Sequence, residues 1–230
     1  ASAYRTPQAA IDEVYAKYGT TRGLIVQMGV AGTYASPASV PKNMVLTIKG
    51  DAAANSGYVL DSAGGASRSL LAVDSSDIRL EGVALSPSWA GRHVIDAYGS
   101  GSRVQLLDSR FAPGSATPGA LIRAAANGEV RIDGTLTVAS GGANAFLAVL
   151  GGSIVMGAAS NVAFSGTPAF TTVASCDAGL IGTQGVAITG TATGTRYSVN
   201  MNGVIRVNGM GANYFPGDVA GTFANGGVYA

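Results

Sequence analysis

The chain is predicted to fold as an all-β parallel β-helix with three strands per coil, and two observations carry the prediction. The first is a repeat. Six short strand-like runs begin at Ile78, Val104, Val130, Ile154, Leu180 and Val204, at intervals of 26, 26, 24, 26 and 24 residues. Most follow a turn of Gly, Ser, Asp or Asn, as at Asp74-Ser75-Ser76-Asp77, Gly99-Ser100-Gly101-Ser102, Asn127-Gly128, Gly151-Gly152-Ser153 and Asn202-Gly203. A breaker at a fixed place in a period of this length marks a solenoid. The second observation is what fills the period. The runs are rich in β-branched residues and too short for helices, as in Val130-Arg131-Ile132-Asp133. Each coil holds a second run, such as Gly134-Thr135-Leu136-Thr137-Val138, and a third, such as Phe146-Leu147-Ala148-Val149-Leu150. Equivalent residues should then stack at the strand spacing of ~4.8 Å, over five to seven coils.

The N-terminus has a different period. Thr6 as N-cap, Pro7 at the first helical position and a terminal Gly19 describe one short helix, with Ala10, Ile11, Val14, Tyr15 and Tyr18 on its apolar face. The open end of a β-helix exposes core and strand edges. The helix is expected to cover that end.

Composition narrows the class. Charged residues are 12%, and Gly is 34 of 230, about twice the usual ~7%. Turns dominate, over a surface that is polar but weakly charged. With Lys+Arg 14 against Asp+Glu 13, no strong field attracts nucleic acid or an anionic membrane. No stretch of 18 apolar residues occurs, and Ala1-Ser2-Ala3-Tyr4-Arg5 has no signal-peptide core. A soluble chain, without membrane insertion and cut from a longer one, is expected.

Aligning coils by the first apolar residue gives two outward columns. One is Thr47, Arg79, Gln105, Arg131, Val155, Ile181 and Ile205; the other is Lys49, Glu81, Leu107, Asp133, Gly157, Thr183 and Val207. Both turn apolar toward the C-terminus, which suggests subunits meeting there. Five of the fifteen Tyr and Phe residues, Tyr197, Tyr214, Phe215, Phe223 and Tyr229, also fall in the last 35 residues. Such rings must be buried, either against other copies of the chain or as a plug in the end of their own.

Two segments resemble known families. Ile25-Val26-Gln27, Ala31-Gly32-Thr33-Tyr34, Val40-Pro41 and Val45-Leu46-Thr47-Ile48-Lys49-Gly50 look like the opening of a pectin-lyase-like right-handed β-helix, over roughly residues 6–86. That fold hosts lyases, esterases, hydrolases and inert spikes, so it implies no activity. Gly194-Thr195-Arg196-Tyr197, Asn202-Gly203-Val204-Ile205, Gly209-Met210-Gly211, Tyr214-Phe215-Pro216-Gly217 and Gly226-Gly227-Val228-Tyr229 resemble the closing segment of bacteriophage tail-fibre and tailspike proteins. Phe215 stands where that pattern often has Leu. The resemblance implies a β-helix over 1–194, with its cap helix at about 5–20, and a trimerisation segment over 195–230. Tyr197, Ile205, Tyr214, Phe215, Pro216, Phe223 and Tyr229 are the candidate interface residues. The implied partners are two further copies, other phage tail proteins and host surface polysaccharide; the implied location is the virion.

Candidate chemistry is sparse. Glu81 and Asp133 lie two coils apart, ~9.6 Å by strand spacing, near the upper end of the ~6.5–9.5 Å that inverting glycosidases use. Lys49, Arg79 and Arg131 sit beside them. The alternatives are a groove that cuts a glycan, one that merely holds it, and a solvated face with ion pairs worth a few tenths of a kcal/mol. Trp89, Arg92 and Tyr98 offer a sugar-stacking edge. The candidate glycan contacts are therefore Arg79, Glu81, Trp89, Arg131 and Asp133. His93 is the only histidine and Cys176 the only cysteine, both read as structural, so no His-based or Cys-based metal site is available. Asp74 and Asp77 are turn residues and supply only two carboxylates for calcium. The Gly-rich strings lack the context of a phosphate loop. No catalytic, cofactor or metal residue is assigned. The expectation is a structural and receptor-binding module of a phage virion, with a polysaccharide depolymerase or a purely architectural component as alternatives.

Overall fold

The computed structural model describes residues 6–19, 22–37, 40–61, 71–87, 90–114 and 117–230. It is a parallel β-solenoid of about seven turns, preceded by the helix Pro7–Tyr18. Three strips of parallel strands run along the axis. The first joins Arg22–Gln27, Val45–Lys49, Asp77–Glu81, Arg103–Phe111, Glu129–Val138, Ser153–Met156, Leu180–Gly182, Val204–Arg206 and Val228–Tyr229. The second runs from Gly32–Ala35 through Tyr58–Asp61, Ala84–Ser86 and Asn161–Phe164 to Ala187–Thr189. Arg103–Phe111 and Glu129–Val138 turn the corner between these two strips and belong to both. The third contains Leu71–Asp74, His93–Tyr98, Ala120–Ala125, Gly142–Val149, Ala169–Asp177, Thr193–Asn200 and Thr222–Phe223.

Alternation within each strand sends one side chain in two to the axis, and parallel pairing stacks like on like. Leu46, Ile78, Val104, Val130, Ile154, Ile181 and Ile205 form one fully buried column. The third strip stacks Ala97, Ala124, Ala148, Cys176 and Val199. Cys176 thus occupies a small-residue slot, as expected, and burial pushes its thiol pKa up.

The seam from the third strip to the first sets the phase. Ser76, Ser102, Gly128, Gly152, Gly179, Gly203 and Gly227 each immediately precede a first-strip strand, at intervals of 26, 26, 24, 27, 24 and 24 residues. Before several of these glycines stand two residues with positive φ: Ala126 and Asn127 (50° and 67°), Leu150 and Gly151 (52° and 81°), Met201 and Asn202 (51° and 60°), and Asn225 and Gly226 (50° and 77°). Each turn is closed by the glycine N–H, donated for instance from Gly203 to the Asn200 carbonyl at 2.8 Å. This is the type I′ pattern.

The N-terminal helix begins as predicted, with Thr6 Oγ1 accepting from the Ala9 N–H at 3.2 Å. It buries Pro7, Ala10 and Ile11 against the first coil, whereas Tyr15 and Tyr18 remain 45% and 63% exposed. The covering face is therefore one turn shorter than expected. A further short helix, the 3-10 segment Ala52–Gly57, docks on a later coil through Asn55 Nδ2, which donates to the Asp108 carbonyl at 2.9 Å.

The register corrects the outward columns. Ser153 pairs with Leu180 and Leu180 with Val204, so Ile181 and Ile205 point inward, and Thr183 and Val207 are buried as well. Aligning on Leu180 and Val204 as first apolar residues slips these two coils by one position, which exchanges their faces. The sheets also run past the boundary expected at 194: Thr193–Asn200 pairs with Ala169–Asp177 and in turn with Thr222–Phe223.

Candidate functional site

On the outer face of the first strip, the true columns are Asp77, Arg103, Glu129, Ser153, Leu180, Val204 and Val228, and beside them Arg79, Gln105, Arg131, Val155, Gly182 and Arg206. Glu81, Leu107 and Asp133 form a third. Coils up to residue 133 are densely ion-paired. Lys49 Nζ and Arg79 Nη2 reach Glu81 at 2.8 and 3.2 Å, and Arg131 Nε reaches Asp133 at 2.6 Å. Gln105 Nε2 also donates to Asp133 at 2.8 Å. Arg103 bridges Asp77 and Glu129 at 3.6 and 3.5 Å.

The electrostatics decide what these carboxylates can do. The hydrogen bond from Lys49 is the main cause holding Glu81 below its ordinary pKa. For Asp133 burial alone would raise it, but the hydrogen bonds from Arg131 and Gln105 outweigh that and hold it low. A glycosidase acid must keep its proton near neutrality, which needs a raised pKa. Both groups are instead ionised acceptors flanked by cationic donors. These two carboxylates can accept hydrogen bonds from hydroxyl groups, and neither is set up as a general acid.

An open pocket of about 460 Å³ adjoins Glu81, lined in part by Gln27, Lys49, Asp51 and Tyr58. Its polar groups serve the chain: Gln27 Nε2 donates to the Lys49 carbonyl at 3.1 Å, and Asp51 Oδ1 accepts from the Ala53 N–H at 2.9 Å.

Of the expected sugar-stacking edge, Trp89 lies outside the described residues. Arg92 and Tyr98 do not converge. Arg92 directly precedes the strand His93–Tyr98 and Tyr98 closes it, a separation of roughly 20 Å at ~3.3 Å per residue. Tyr98 instead carries the Arg123 guanidinium at 5.8 Å from its ring, and Arg123 holds Asp96 at 3.2 Å. His93 is half-buried on the same strip, and burial pushes its pKa down. Asp74 and Asp77 are engaged by Lys42 at 2.8 Å and Arg103 at 3.6 Å.

The C-terminal rings pack within their own chain. Phe215 is fully buried, 6.3 Å from Phe146 and 5.2 Å from Tyr214. The Tyr214 hydroxyl donates to the Val186 carbonyl at 2.7 Å. Tyr197 stacks on Tyr229 at 3.8 Å, and the Tyr229 hydroxyl donates to the Gly211 carbonyl at 3.0 Å. Ile205 belongs to the core column and Pro216 is half-buried. Of the seven candidate interface residues, Phe223 is the one left open, at 66% exposure. The rings lie where, among the described residues, no strand follows Ala187–Thr189 in the second strip.

The late coils carry an exposed apolar edge. Leu150, Leu180, Met201 and Val228 are all exposed, with Leu150 at 64% and Met201 at 59%, along the seam where the third strip enters the first. Leu150 and Met201 occupy left-handed turn positions that favour Gly or Asn. Only four charged residues follow Asp133: Asp177, Arg196, Arg206 and Asp218. Among the described residues none of the four makes an ion pair, whereas seven ion pairs join residues between 42 and 133. The sequence signal was present: large apolar residues directly before Gly151 and Asn202, in turns that could have carried Asn. No protein-family model, curated protein or solved structure matches this chain.

Proposed function

We propose that this chain is a structural and receptor-binding module of a phage virion, the C-terminal part of a trimeric tail fibre or tailspike whose early coils contact host surface glycan. The observation that carries the reading is the division of the first strip's outer face, charged and ion-paired up to residue 133, apolar along the seam thereafter. Two acids and two arginines, without ion-pair partners among the described residues, make the late coils neutral overall, which suits association with further copies. Three early faces held together would let weak glycan contacts act at high effective concentration. Binding is favoured over cleavage because Glu81 and Asp133 are both held ionised.

The test is mass in solution together with exposure to a panel of bacterial surface polysaccharides. We expect about three times 22.8 kDa, retention on a susceptible host's polysaccharide, and no release of reducing ends. Glu81→Gln with Asp133→Asn, which keep an oxygen able to accept a hydroxyl's hydrogen bond at both positions, should leave attachment nearly unchanged. A stable monomer overturns the trimer. Reducing-end release that vanishes in the double variant overturns adhesion in favour of a depolymerase.

A further inference from the structure

Four Asn-Gly pairs occur in the chain, Asn127-Gly128, Asn202-Gly203, Asn208-Gly209 and Asn225-Gly226, and all four asparagines are exposed. We propose that Asn208 and Asn225 are sites of spontaneous deamidation in the folded protein, and that the coil architecture protects Asn127 and Asn202. The inference is independent of the proposed function.

The chemistry needs only water. The backbone nitrogen of the following glycine attacks the asparagine Cγ, a C–N bond forms, and ammonia leaves with the side-chain nitrogen and the proton given up by the N–H. Water then opens the cyclic imide to aspartate or to isoaspartate, whose backbone is one carbon longer. Glycine favours the ring because it lacks a Cβ to hinder the approach. The attacking nitrogen must be free and the turn must open.

At Asn127 and Asn202 both conditions fail. The Gly128 and Gly203 N–H groups are donated to the Ala125 and Asn200 carbonyls at 2.9 and 2.8 Å. Each glycine is pressed against a carbonyl of the neighbouring coil, Ala97 for Gly128 and Cys176 for Gly203. Each asparagine amide is also covered from the next turn: Asn127 Oδ1 lies against Gly151, and Asn202 Oδ1 against Gly226. Opening either turn would disturb the coils packed on both of its sides.

At Asn208 and Asn225 the asparagine sits one position earlier in its turn. The closing hydrogen bonds run from Met210 N–H to the Val207 carbonyl at 3.2 Å and from Gly227 N–H to the Ala224 carbonyl at 2.9 Å. They bypass the nucleophile in both cases. Among the described residues no backbone acceptor takes the Gly209 or Gly226 N–H. In the earlier seam turn, the N–H at the position of Gly226 is donated to the coil beyond, as from Asn202 to the Asn225 carbonyl at 3.1 Å. Gly209 stands in open space, where an added Cβ would meet no atom within 4 Å. Each conversion removes one unit from a formal net charge of +1, in the coil that carries Arg206 and the exposed Val228.

The 230-residue chain is held in mildly alkaline buffer, folded and in denaturant, and site-resolved peptide mass spectrometry follows amide-to-acid conversion at all four asparagines. In the folded chain we expect Asn127 and Asn202 to react at least about tenfold more slowly than Asn208 and Asn225, since their reaction requires prior local opening. In denaturant the four rates should converge. Asn208→Gly and Asn225→Gly, which suit the positive φ, should abolish early conversion without moving the melting temperature. The proposal is overturned if Asn127 or Asn202 keeps pace in the folded chain, or if Asn208 or Asn225 is as slow as they are.

Discussion

Replacing Gly203 by alanine isolates the steric rule that winds these coils. Gly203 has an ordinary φ, so the backbone itself tolerates a side chain. A Cβ there would stand 2.5 Å from the Cys176 oxygen and 2.9 Å from the Asn200 oxygen, against 3.4 Å or more for ordinary contact. The obstacle is backbone on both sides, so relief requires the seam to part by a sizeable fraction of an ångström. Overpacking costs about 1–3 kcal/mol, and a rigid backbone obstacle places this substitution near ~3 kcal/mol. With an unfolding entropy of ~2.1 cal/mol/K per residue, that is a fall of about 6 °C in Tm for a chain of this size. Gly182→Ala is the matched control, because Gly182 lies in the neighbouring first-strip strand with an ordinary φ and no atom within 4 Å. Its Tm should hold or rise, by up to about 1 kcal/mol of stability. Calorimetry on both variants decides: Gly203→Ala melting with the parent, or Gly182→Ala falling as far, would refute the seam as a steric limit.

Three further outcomes are expected. Ile181→Ala should cost about 2–5 kcal/mol in denaturant titration while Leu180→Ala costs less than about 1 kcal/mol; the reverse order would restore the slipped register. Phe215→Ala should cost about 3–5 kcal/mol, and Tyr214→Phe about 1 kcal/mol for its lost hydrogen bond, with melting unchanged in both if the plug were unimportant. Glu81, Asp133 and Asp74 have folded pKa values held low, so the unfolded chain binds more protons as acid is added. Their stabilisation is fully present above about pH 5 and is lost as pH falls through the folded values. A Tm that falls on acidification, and falls less when Glu81→Gln and Asp133→Asn are combined, would bear this out.

The repeat was legible in the sequence because parallel stacking forces like residues to recur at the period, as Val104, Val130 and Ile154 do. Its phase was legible only where one apolar residue follows the turn. In Gly179-Leu180-Ile181 and Gly203-Val204-Ile205 two apolar residues compete, and periodicity cannot choose between them. The seam glycine does choose, because it is fixed by the carbonyl pressing on it and not by hydrophobicity. Tyr197, Tyr214 and Phe215 were legible as buried but not as to what buries them, since composition carries no sign of which chain supplies the wall, and Phe223, expected to be buried with them, is exposed. The pairing of Glu81 with Lys49 and Arg79 could be read from register. The separation of Arg92 from Tyr98 could not, until the strand His93–Tyr98 was seen to run between them.

Among the described residues the ladder hydrogen bonds point along the solenoid axis, while the covalent chain winds around it. Tension applied along the axis is therefore carried by the rungs in series, and the rod parts where the narrowest rung lies. Glu129–Val138 is joined to Arg103–Phe111 along nearly its whole length, whereas Val228–Tyr229 pairs with Val204–Arg206 at Val204 and Ile205, and Thr222–Phe223 with Thr193–Asn200 at Ser198 and Val199, with scattered bonds beside them such as Asn202 N–H to the Asn225 carbonyl and the Thr195–Val219 bridge. Under load the coil containing the aromatic plug should peel first, leaving the broad central rungs intact, so that a pulled molecule yields as a fuse at one end and keeps its charged face whole.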